Sequence, residues 1–417
     1  MEKLIIKNFG PIKSATIQVA KFTLLIGYTA SGKSTVAKLL CIFNSKEFYC
    51  LSSSSDILDF IRLLEDYSIN YGIDEHTRIE YSNDYYKWVI SAKGIDTDYI
   101  YGADFFKLLN FKVPSSQYVA FIKELASRDQ KVAELVDESE ILEYEKSHQV
   151  FEADLMKSWK RFIEHLKILL YKGTDATYIP AERNLFTIIK NNLFKLADNG
   201  FSIPKSLAAF GAKYEWAKAT RDPLFKIPFL KAQIHFMEKG EEDMLLIKGK
   251  GIPLSSASSG YQSLIPLYTV MDDFFIMNAR FFEPARTPLL VIEEPELNLF
   301  PSVQKELIQE IVRGINGTNC STVIASHSPY VLSVVDTLVQ AGNVAKDPKK
   351  REKIKEVFEE KYWIDFDDVE CYYFSKQGVA RSVKNKRLKI IGANILDEIS
   401  EDLNSKYDQL LDIKYNE

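Results

Sequence analysis

One short stretch near the amino terminus constrains the fold more than any other. Phe22–Ile26 is an apolar run typical of a buried strand, and Gly27–Thr35 follows it with the complete pattern GxxxxGK(S/T). A helix with Val36, Leu39 and Leu40 on one face begins directly after the pattern. Strand, glycine-rich loop and helix in this order predict a phosphate-binding loop inside an α/β fold.

The residues of this loop predict a site for ATP and Mg²⁺. Glycines let successive backbone N–H groups point at phosphate oxygens, and the helix N-terminus adds a favourable field for an anion. We expect Lys33 to place its charge at the β and γ phosphates and Ser34 to ligate Mg²⁺. The predicted nucleotide-binding residues of the loop are Gly27, Ala30, Ser31, Gly32, Lys33, Ser34 and Thr35.

A second apolar run ends in carboxylates. Leu289–Ile292 leads directly into Glu293 and Glu294, as a buried strand does when it delivers acids to the edge of a sheet. Glu293 is predicted to lie on the metal side of the phosphates, and Glu294 to polarise the attacking water as general base. Two adjacent carboxylates can take different roles because consecutive residues at a strand end point in different directions.

Further motifs give the chain a resemblance to a known family. Ser258–Gln262 resembles the signature of ABC ATPases. Glu296–Pro301 and Ala325–Tyr330 resemble the D-loop and the histidine switch of the SMC/RecF-like and OLD-like prokaryotic ATPases, and Ile6–Ile12 is similar to their first strand and turn. The chain therefore resembles an ABC-type P-loop ATPase of this branch, whose members include ATPases of anti-phage defence.

The resemblance implies a site shared between two copies. Ser258, Ser259, Gly260 and Gln262 would bind the nucleotide held by the opposite copy, and His327 would act in catalysis as the sensor of the γ-phosphate. Two copies related by a two-fold axis would then form two composite sites, in a head-to-head dimer or a higher oligomer. By itself, Ser-Ser-Gly at a helix start is more often an ordinary N-cap.

The chain departs from the family pattern in three places. Glu293 stands where most ABC proteins have aspartate. We find no Q-loop glutamine, and Glu182 and Arg183 are the best positional candidates for its role, with a capped helix start and a surface ion pair as an equal alternative. The acidic residues that mark a Toprim nuclease are not found, so we expect no such domain and interpret Asp365–Asp368 as a solvated turn.

The motifs divide the chain into three predicted parts. The fold is expected to be α/β, an ABC-ATPase head with a mixed or parallel sheet, an antiparallel β lobe and an inserted α-helical region. The head is split between residues 1–50 and 175–345. Residues 51–174 are predicted to form an inserted β-hairpin and helical region, and residues 346–417 a C-terminal α/β extension.

Composition excludes several other classes of protein. The net charge of −5 argues against general attraction to nucleic acid, and the basic stretches 346–355 and 384–389 are interpreted as solvated surface. No run of apolar residues is long enough to span a bilayer, and Met1–Lys7 predicts a strand rather than a signal peptide, so a cytoplasmic protein is expected. The four cysteines, Cys41, Cys50, Cys320 and Cys371, form no CxxC pair, so neither a zinc site nor a disulfide is expected.

The motifs favour an ATPase whose ATP-dependent dimerisation regulates a partner effector, such as a nuclease or toxin, in a prokaryotic defence or DNA-processing system. A RecF-like repair ATPase that binds DNA directly is the first alternative. The nucleotide-binding subunit of a transporter is less compatible with the strand-rich insertion. A scaffold that binds ATP with negligible turnover also remains open.

Overall fold

The computed structural model describes residues 2–49, 57–83, 86–99, 176–189, 203–237, 241–280, 287–392 and 398–415. Its strands are β1 Glu2–Phe9, β2 Ile12–Val19, β3 Phe22–Gly27, β4 Arg78–Ser82, β5 Tyr86–Ser91, β6 Gly94–Tyr99, β7 Thr177–Ile179, β8 Leu224–Lys226, β9 Gln233–His235, β10 Met244–Ile247, β11 Lys250–Pro253, β12 Leu289–Glu293, β13 Ser321–Ser326, β14 Val369–Phe374, β15 Ala380–Ser382, β16 Lys384–Asn385 and β17 Ile390–Ile391. Its α-helices are α1 Lys33–Phe43, α2 Lys46–Tyr49, α3 Ile57–Asp66, α4 Arg183–Ile189, α5 Lys205–Ala219, α6 Ser259–Arg280, α7 Pro301–Asn316, α8 Pro329–Ala345, α9 Pro348–Lys355 and α10 Glu398–Tyr415. Of the insertion predicted for residues 51–174, the part from residue 100 onward lies outside the described residues.

A central sheet of mixed direction carries the motifs. Its strand order is β15-β14-β3-β13-β12-β7, in which β15 is antiparallel to β14 and the other neighbours are parallel. Every residue of β3 and β12 is buried, which explains their continuous apolar sequences, because helices or a second sheet cover both faces. The predicted α/β head with a mixed sheet is confirmed.

Two hydrophobic cores lie on opposite faces of the central sheet. Leu25 and Val291 pack into the core that contains α1 and the antiparallel lobe, whereas Leu24 and Ile292 pack into the core formed with α5 to α8. The alternation follows from the period of two along a strand. Burying each of these side chains contributes about 1.5–3 kcal/mol, so the strands that carry the site are firmly anchored.

The predicted antiparallel β lobe is a five-stranded sheet of order β2-β1-β4-β5-β6. Ile6 of β1 pairs with Ile79 of β4, so the first strands of the predicted insertion extend a sheet that the head begins. The ring of Phe43 on α1 stacks on Tyr81 of β4 at a centroid distance of 4.7 Å. This contact fixes the helix that follows the P-loop against the lobe.

The C-terminal segment contributes directly to the central sheet. Phe374 at the end of β14 pairs with Gly27, and its carbonyl accepts a hydrogen bond of 3.3 Å from the Tyr28 N–H. In the following turn, a Cβ on Gly378 would lie 2.1 Å from the Pro11 carbonyl oxygen, and its φ of +71° also favours glycine. The boundary predicted at residue 345 therefore separates β14 from the central sheet to which it belongs, because the apolar run of β14 is buried beside β3.

A four-stranded sheet of order β11-β10-β9-β8 leads to the signature segment. Before β10, the buried carboxylate of Asp243 accepts hydrogen bonds from Lys218 Nζ at 2.8 Å and from the Tyr214 hydroxyl at 2.9 Å. The backbone carbonyl of Asp243 accepts from the Leu254 N–H at 2.8 Å. These bonds fix the 3₁₀ turn Leu254–Ser256, directly before α6.

Candidate active site

Three strands of the central sheet end at one edge with the predicted residues. In register, Glu293 of β12 lies beside Ala325 of β13, and Ser326 lies beside Ile26 of β3. Loops at the carboxyl ends of parallel strands form the usual ligand-binding edge of α/β sheets. The structure therefore brings the P-loop, the two carboxylates and the histidine loop together, as the sequence predicted.

The P-loop curls through backbone conformations with positive φ. Gly27 has a φ of +138°, Ala30 of +57° and Gly32 of +103°, directly before α1. The Ser31 hydroxyl donates a hydrogen bond of 2.6 Å to the Tyr28 carbonyl and so braces the turn from within. Positive φ at several positions points successive amides to one side, which is the geometry of an anion-binding loop.

Lys33 is held at the centre of the site. Its ammonium donates to the carbonyls of Gly27 at 3.0 Å and Tyr28 at 2.6 Å, and lies 3.3 Å from Nδ1 of His327. Burial lowers its pKa to about 8, although the carboxylate of Glu294 opposes that shift. Thr35 faces the interior instead, with its hydroxyl 3.4 Å from that of Tyr71.

The lowered pKa predicts that ATP binding weakens in alkaline solution. The charged ammonium attracts phosphate, and a lysine with a pKa of about 8 passes from mostly charged to mostly neutral between pH 7 and 9. We expect the Kd for ATP to rise about tenfold over that interval. Calorimetric titration at both pH values measures the Kd for ATP. In Lys33→Arg the Kd should be the same at pH 7 and pH 9, because the guanidinium stays charged. An equal rise in both proteins would contradict the assignment to Lys33.

His327 links the P-loop to the predicted general base. Its Nε2 lies 3.3 Å from Oε1 of Glu294, and its Nδ1 lies 3.1 Å from the Gly27 carbonyl oxygen. Because charged Lys33 can only donate, we assign the Nδ1 position as its acceptor and place the imidazole proton on Nε2, facing Glu294. The hydrogen bond from His327 lowers the pKa of Glu294, so this carboxylate is ionised at neutral pH.

Glu293 presents a buried carboxylate oxygen to the same edge. Its side chain is 3% exposed, and Oε1 has no hydrogen-bond partner among the described residues. Burial raises its pKa, and the positive charge of Lys38 and the hydroxyls of Tyr178 and Ser34 oppose that rise. A buried carboxylate oxygen without a donor is costly unless a cation ligates it. Glu293 and Ser34 therefore fit Mg²⁺, which typically takes one or two protein ligands together with substrate phosphates.

Glu296 is a site residue to which sequence reasoning gave no role. Its Oε1 accepts hydrogen bonds from the Ser326 hydroxyl at 2.9 Å and from the His327 N–H at 2.7 Å. Glu296 therefore fixes the backbone that carries His327. Its place at the start of the predicted D-loop, two residues after Glu294, was the sequence signal for this function.

Arg183 lies inside the protein, so the alternative of a surface ion pair is wrong for this residue. Its guanidinium is fully buried and donates hydrogen bonds to the carbonyls of Pro180 and of Glu293 at the end of β12. Glu182 is exposed beside it. The position after a β7 strand end was a signal, but the sequence did not indicate that Arg183 is buried.

The signature residues form a separate group. Ser258 and Ser259 are exposed, and neither hydroxyl makes a hydrogen bond within the described residues. A Cβ on Gly260 would lie 3.0 Å from the Asn298 carbonyl oxygen, so the helix start packs closely on the D-loop. The buried Gln262 amide donates to the Ser255 carbonyl at 2.6 Å and braces the turn before α6. The structure therefore does not include the signature hydroxyls in the hydrogen-bonded P-loop cluster.

Comparison with known proteins assigns the family. The model of the AAA ATPase domain family matches residues 1–332, which include all the motifs described above. The chain belongs to the AAA ATPase domain family. The predicted P-loop ATPase is confirmed at the level of this family. β14 lies beyond the matched range although it pairs with the P-loop strand.

Several solved structures are similar to this ATPase. A Smc head bound to the C-winged helix domain of ScpA has 14% identity and a TM-score of 0.40, and the match covers 93% of this chain and 99% of that one. The SMC head domain from Thermotoga maritima has 11% identity and a TM-score of 0.34, and the match covers 80% of this chain and 90% of that one. The recombination mediator protein RecF of the RecFOR pathway has 10% identity and a TM-score of 0.34, and the match covers 91% of this chain and 97% of that one. A search of curated proteins gave no match.

Proposed function

We propose that this ATPase binds and hydrolyses ATP with Mg²⁺ in a head-to-head dimer, and that dimerisation regulates a separate effector. The effector would be a nuclease or toxin of a prokaryotic anti-phage defence or DNA-processing system. The observation that carries the dimer is that, among the described residues, the exposed Ser258 and Ser259 hydroxyls take no part in the hydrogen-bonded cluster of Lys33, Glu294 and His327.

The arrangement of side chains supports a division of labour within one site. Lys33 would hold the β and γ phosphates, while Glu293 and Ser34 would hold Mg²⁺, which neutralises phosphate charge when bound. Glu294 would accept a proton from the attacking water, and His327 would orient its carboxylate through Nε2. The phosphate-facing donors of the signature helix would come from the second copy.

Exposed aromatic side chains support an interface at the same edge. Phe300, within the D-loop, is 75% exposed, and Tyr330, in the first turn after His327, is 54% exposed. Aromatic residues are enriched where a surface becomes buried in a complex. A second copy placed over this edge would cover both rings and bring its signature serines to the nucleotide.

Nucleotide-dependent association of the purified protein tests this proposal. With Mg²⁺ and the non-hydrolysable β,γ-imido analogue of ATP, we expect the mass from light scattering to double. Ser259→Arg should bind the analogue but stay monomeric, because a large cation replaces a small hydroxyl where the opposite phosphates would lie. A mass independent of nucleotide, or equal association of Ser259→Arg, would exclude the shared site.

The surroundings of the basic stretches favour a partner protein over direct DNA binding. Lys346 pairs with Asp365 at 2.9 Å, and Arg351 pairs with Glu360. Lys384, expected on the surface, has a side chain only 5% exposed and donates to the Val369 carbonyl, so that expectation is wrong for this residue. Stimulation of ATP turnover by duplex DNA, falling steeply with salt, would instead favour the RecF-like alternative.

The structure adds one observation relevant to the transporter alternative. Within the described ranges, no helix combines the length and apolar character that crossing a membrane requires. The strands β4 to β6 occupy the beginning of the predicted insertion, where the transporter alternative would need a short helical lobe.

A further inference from the structure

A single buried guanidinium contacts four backbone oxygens in three segments. Arg183 donates from Nε to the Ser263 carbonyl at 3.1 Å and from Nη1 to the carbonyls of Pro180 at 3.0 Å and Glu293 at 2.8 Å. Its Nη2 donates to the Glu294 carbonyl at 2.6 Å. The donors of a guanidinium point in fixed directions within one plane, so these oxygens are held in fixed positions relative to each other.

The contacted oxygens belong to the two halves of the proposed catalytic machinery. Ser263 is four residues after Ser259, in the first turns of the signature helix α6. Glu293 and Glu294 are the carboxylates at the end of β12. Arg183 therefore joins the segment that would meet the nucleotide of the second copy to the segment that would act on the chain's own nucleotide.

The bond to Glu294 falls at an unusual point of the backbone. Glu294 has a φ of +44°, a left-handed conformation that residues with side chains rarely adopt. Its N–H donates to the Ala325 carbonyl at 2.8 Å, and Arg183 binds its own carbonyl. These two bonds hold the peptide planes on both sides of Glu294 and so set the direction of its carboxylate.

Arg183 retains its charge in this buried position. Burial lowers its pKa to about 10, and nearby carboxylates, first Glu296 and then Glu294, oppose the shift. The guanidinium is therefore protonated at neutral pH. Hydrogen bonds from a charged donor are stronger than neutral ones, so the link between α6 and β12 is stiff.

We propose that Arg183 is a positioning residue that transmits engagement of the signature helix to the Glu294 carboxylate, and thereby couples the two composite sites of a dimer. The inference rests on the proposed dimer, because only there do the signature and Glu294 of one chain serve different nucleotides. A shift of α6 when its serines meet phosphate moves the Ser263 carbonyl. The rigid guanidinium passes that displacement to Glu294.

Arg183→Lys tests the coupling while it retains the charge. An ammonium carries its three donors on one atom and cannot reproduce the fixed fork that places Nε on the Ser263 carbonyl and Nη2 on the Glu294 carbonyl. We expect kcat to fall on the order of 10²-fold, because small misplacement of a catalytic group has effects of that size. The Kd for ATP should change by less than about twofold, because Lys33 and the loop amides are untouched.

Arg221→Lys is the matched control. Arg221 is also a buried arginine that binds α6, through the Thr269 carbonyl at 3.0 Å and Asp272 at 2.7 Å, but it lies farther along the helix. Its variant should retain kcat within about threefold, as expected of a change outside the site. If wild type hydrolyses ATP and both variants behave alike, the coupling is wrong. If wild type neither hydrolyses ATP nor dimerises, the proposed function itself fails.

A double-mutant cycle separates coupling from a purely structural role. Ser259→Ala and Arg183→Lys should together lower kcat by clearly less than the product of their separate effects, because both interrupt one chain of contacts. Independent, multiplicative effects would overturn the proposal. If Arg183→Lys fails to fold, hydrogen exchange measured on Ser259→Ala takes the place of the double-mutant cycle. In nucleotide-bound dimers verified by light scattering, amides of 293–299 should then exchange faster than in wild type, and unchanged exchange would overturn the proposal.

Discussion

Glu294→Gln is expected to bind ATP and form a stable dimer while it hydrolyses ATP on the order of 10²–10⁴ times more slowly than wild type. Glutamine has nearly the same shape, and the backbone bonds of residue 294 to Arg183 and Ala325 do not involve its side chain. It lacks the basic carboxylate that would accept the proton from water. With ATP held and not consumed, the dimer should accumulate.

Phosphate release and light scattering with ATP and Mg²⁺ measure both effects. Glu306→Gln on α7 removes a carboxylate outside the site and should match wild type in both. Equal phosphate release by wild type and Glu294→Gln would indicate a scaffold with negligible turnover. Slow release by Glu294→Gln without dimer formation would retain the catalytic role of Glu294 and reject the trapped dimer.

Lys33→Ala should bind ATP roughly 10²–10⁴ times more weakly and remain monomeric with ATP and Mg²⁺. The lysine would contact two phosphates, and each hydrogen bond to a charged group contributes about 1.5–3 kcal/mol. Its loss also leaves the carbonyls of Gly27 and Tyr28 without their ammonium donor. Weaker binding thus has two causes in the same loop.

Calorimetry of ATP binding tests the loss, with Lys305→Ala, an exposed lysine on α7, as the control that should bind like wild type. Lys33→Ala binding within about threefold of wild type would remove Lys33 from the phosphate site. If Lys33→Ala and Glu294→Gln elute at the same monomeric mass with ATP and Mg²⁺, the head-to-head mechanism is wrong.

The sequence alone predicted the edge of the sheet where these residues meet. Phe22–Ile26 and Leu289–Ile292 have the apolar character of buried parallel strands, as does the shorter run Val323–Ala325 before His327, and such strands end at one edge. The motif of Gly27–Thr35 is local, so its loop and helix follow from residues within a few positions of each other. The antiparallel lobe was predictable for the same reason, from strand-like residues separated by turn residues.

Only the tertiary structure decided which remote segments complete the site. Arg183 lies 80 residues from Ser263 and 110 from Glu293, and nothing in its neighbourhood distinguishes a buried bridge from a surface cation. The pairing of β14 with β3 is equally long-range. Because of it, β14, which belongs to the predicted C-terminal extension, is a strand of the head. Local patterns determine secondary structure and motif chemistry because they depend on neighbouring residues. Burial of a charged group depends on which distant carbonyls the packed fold brings to it, and that is set only when the whole sheet assembles.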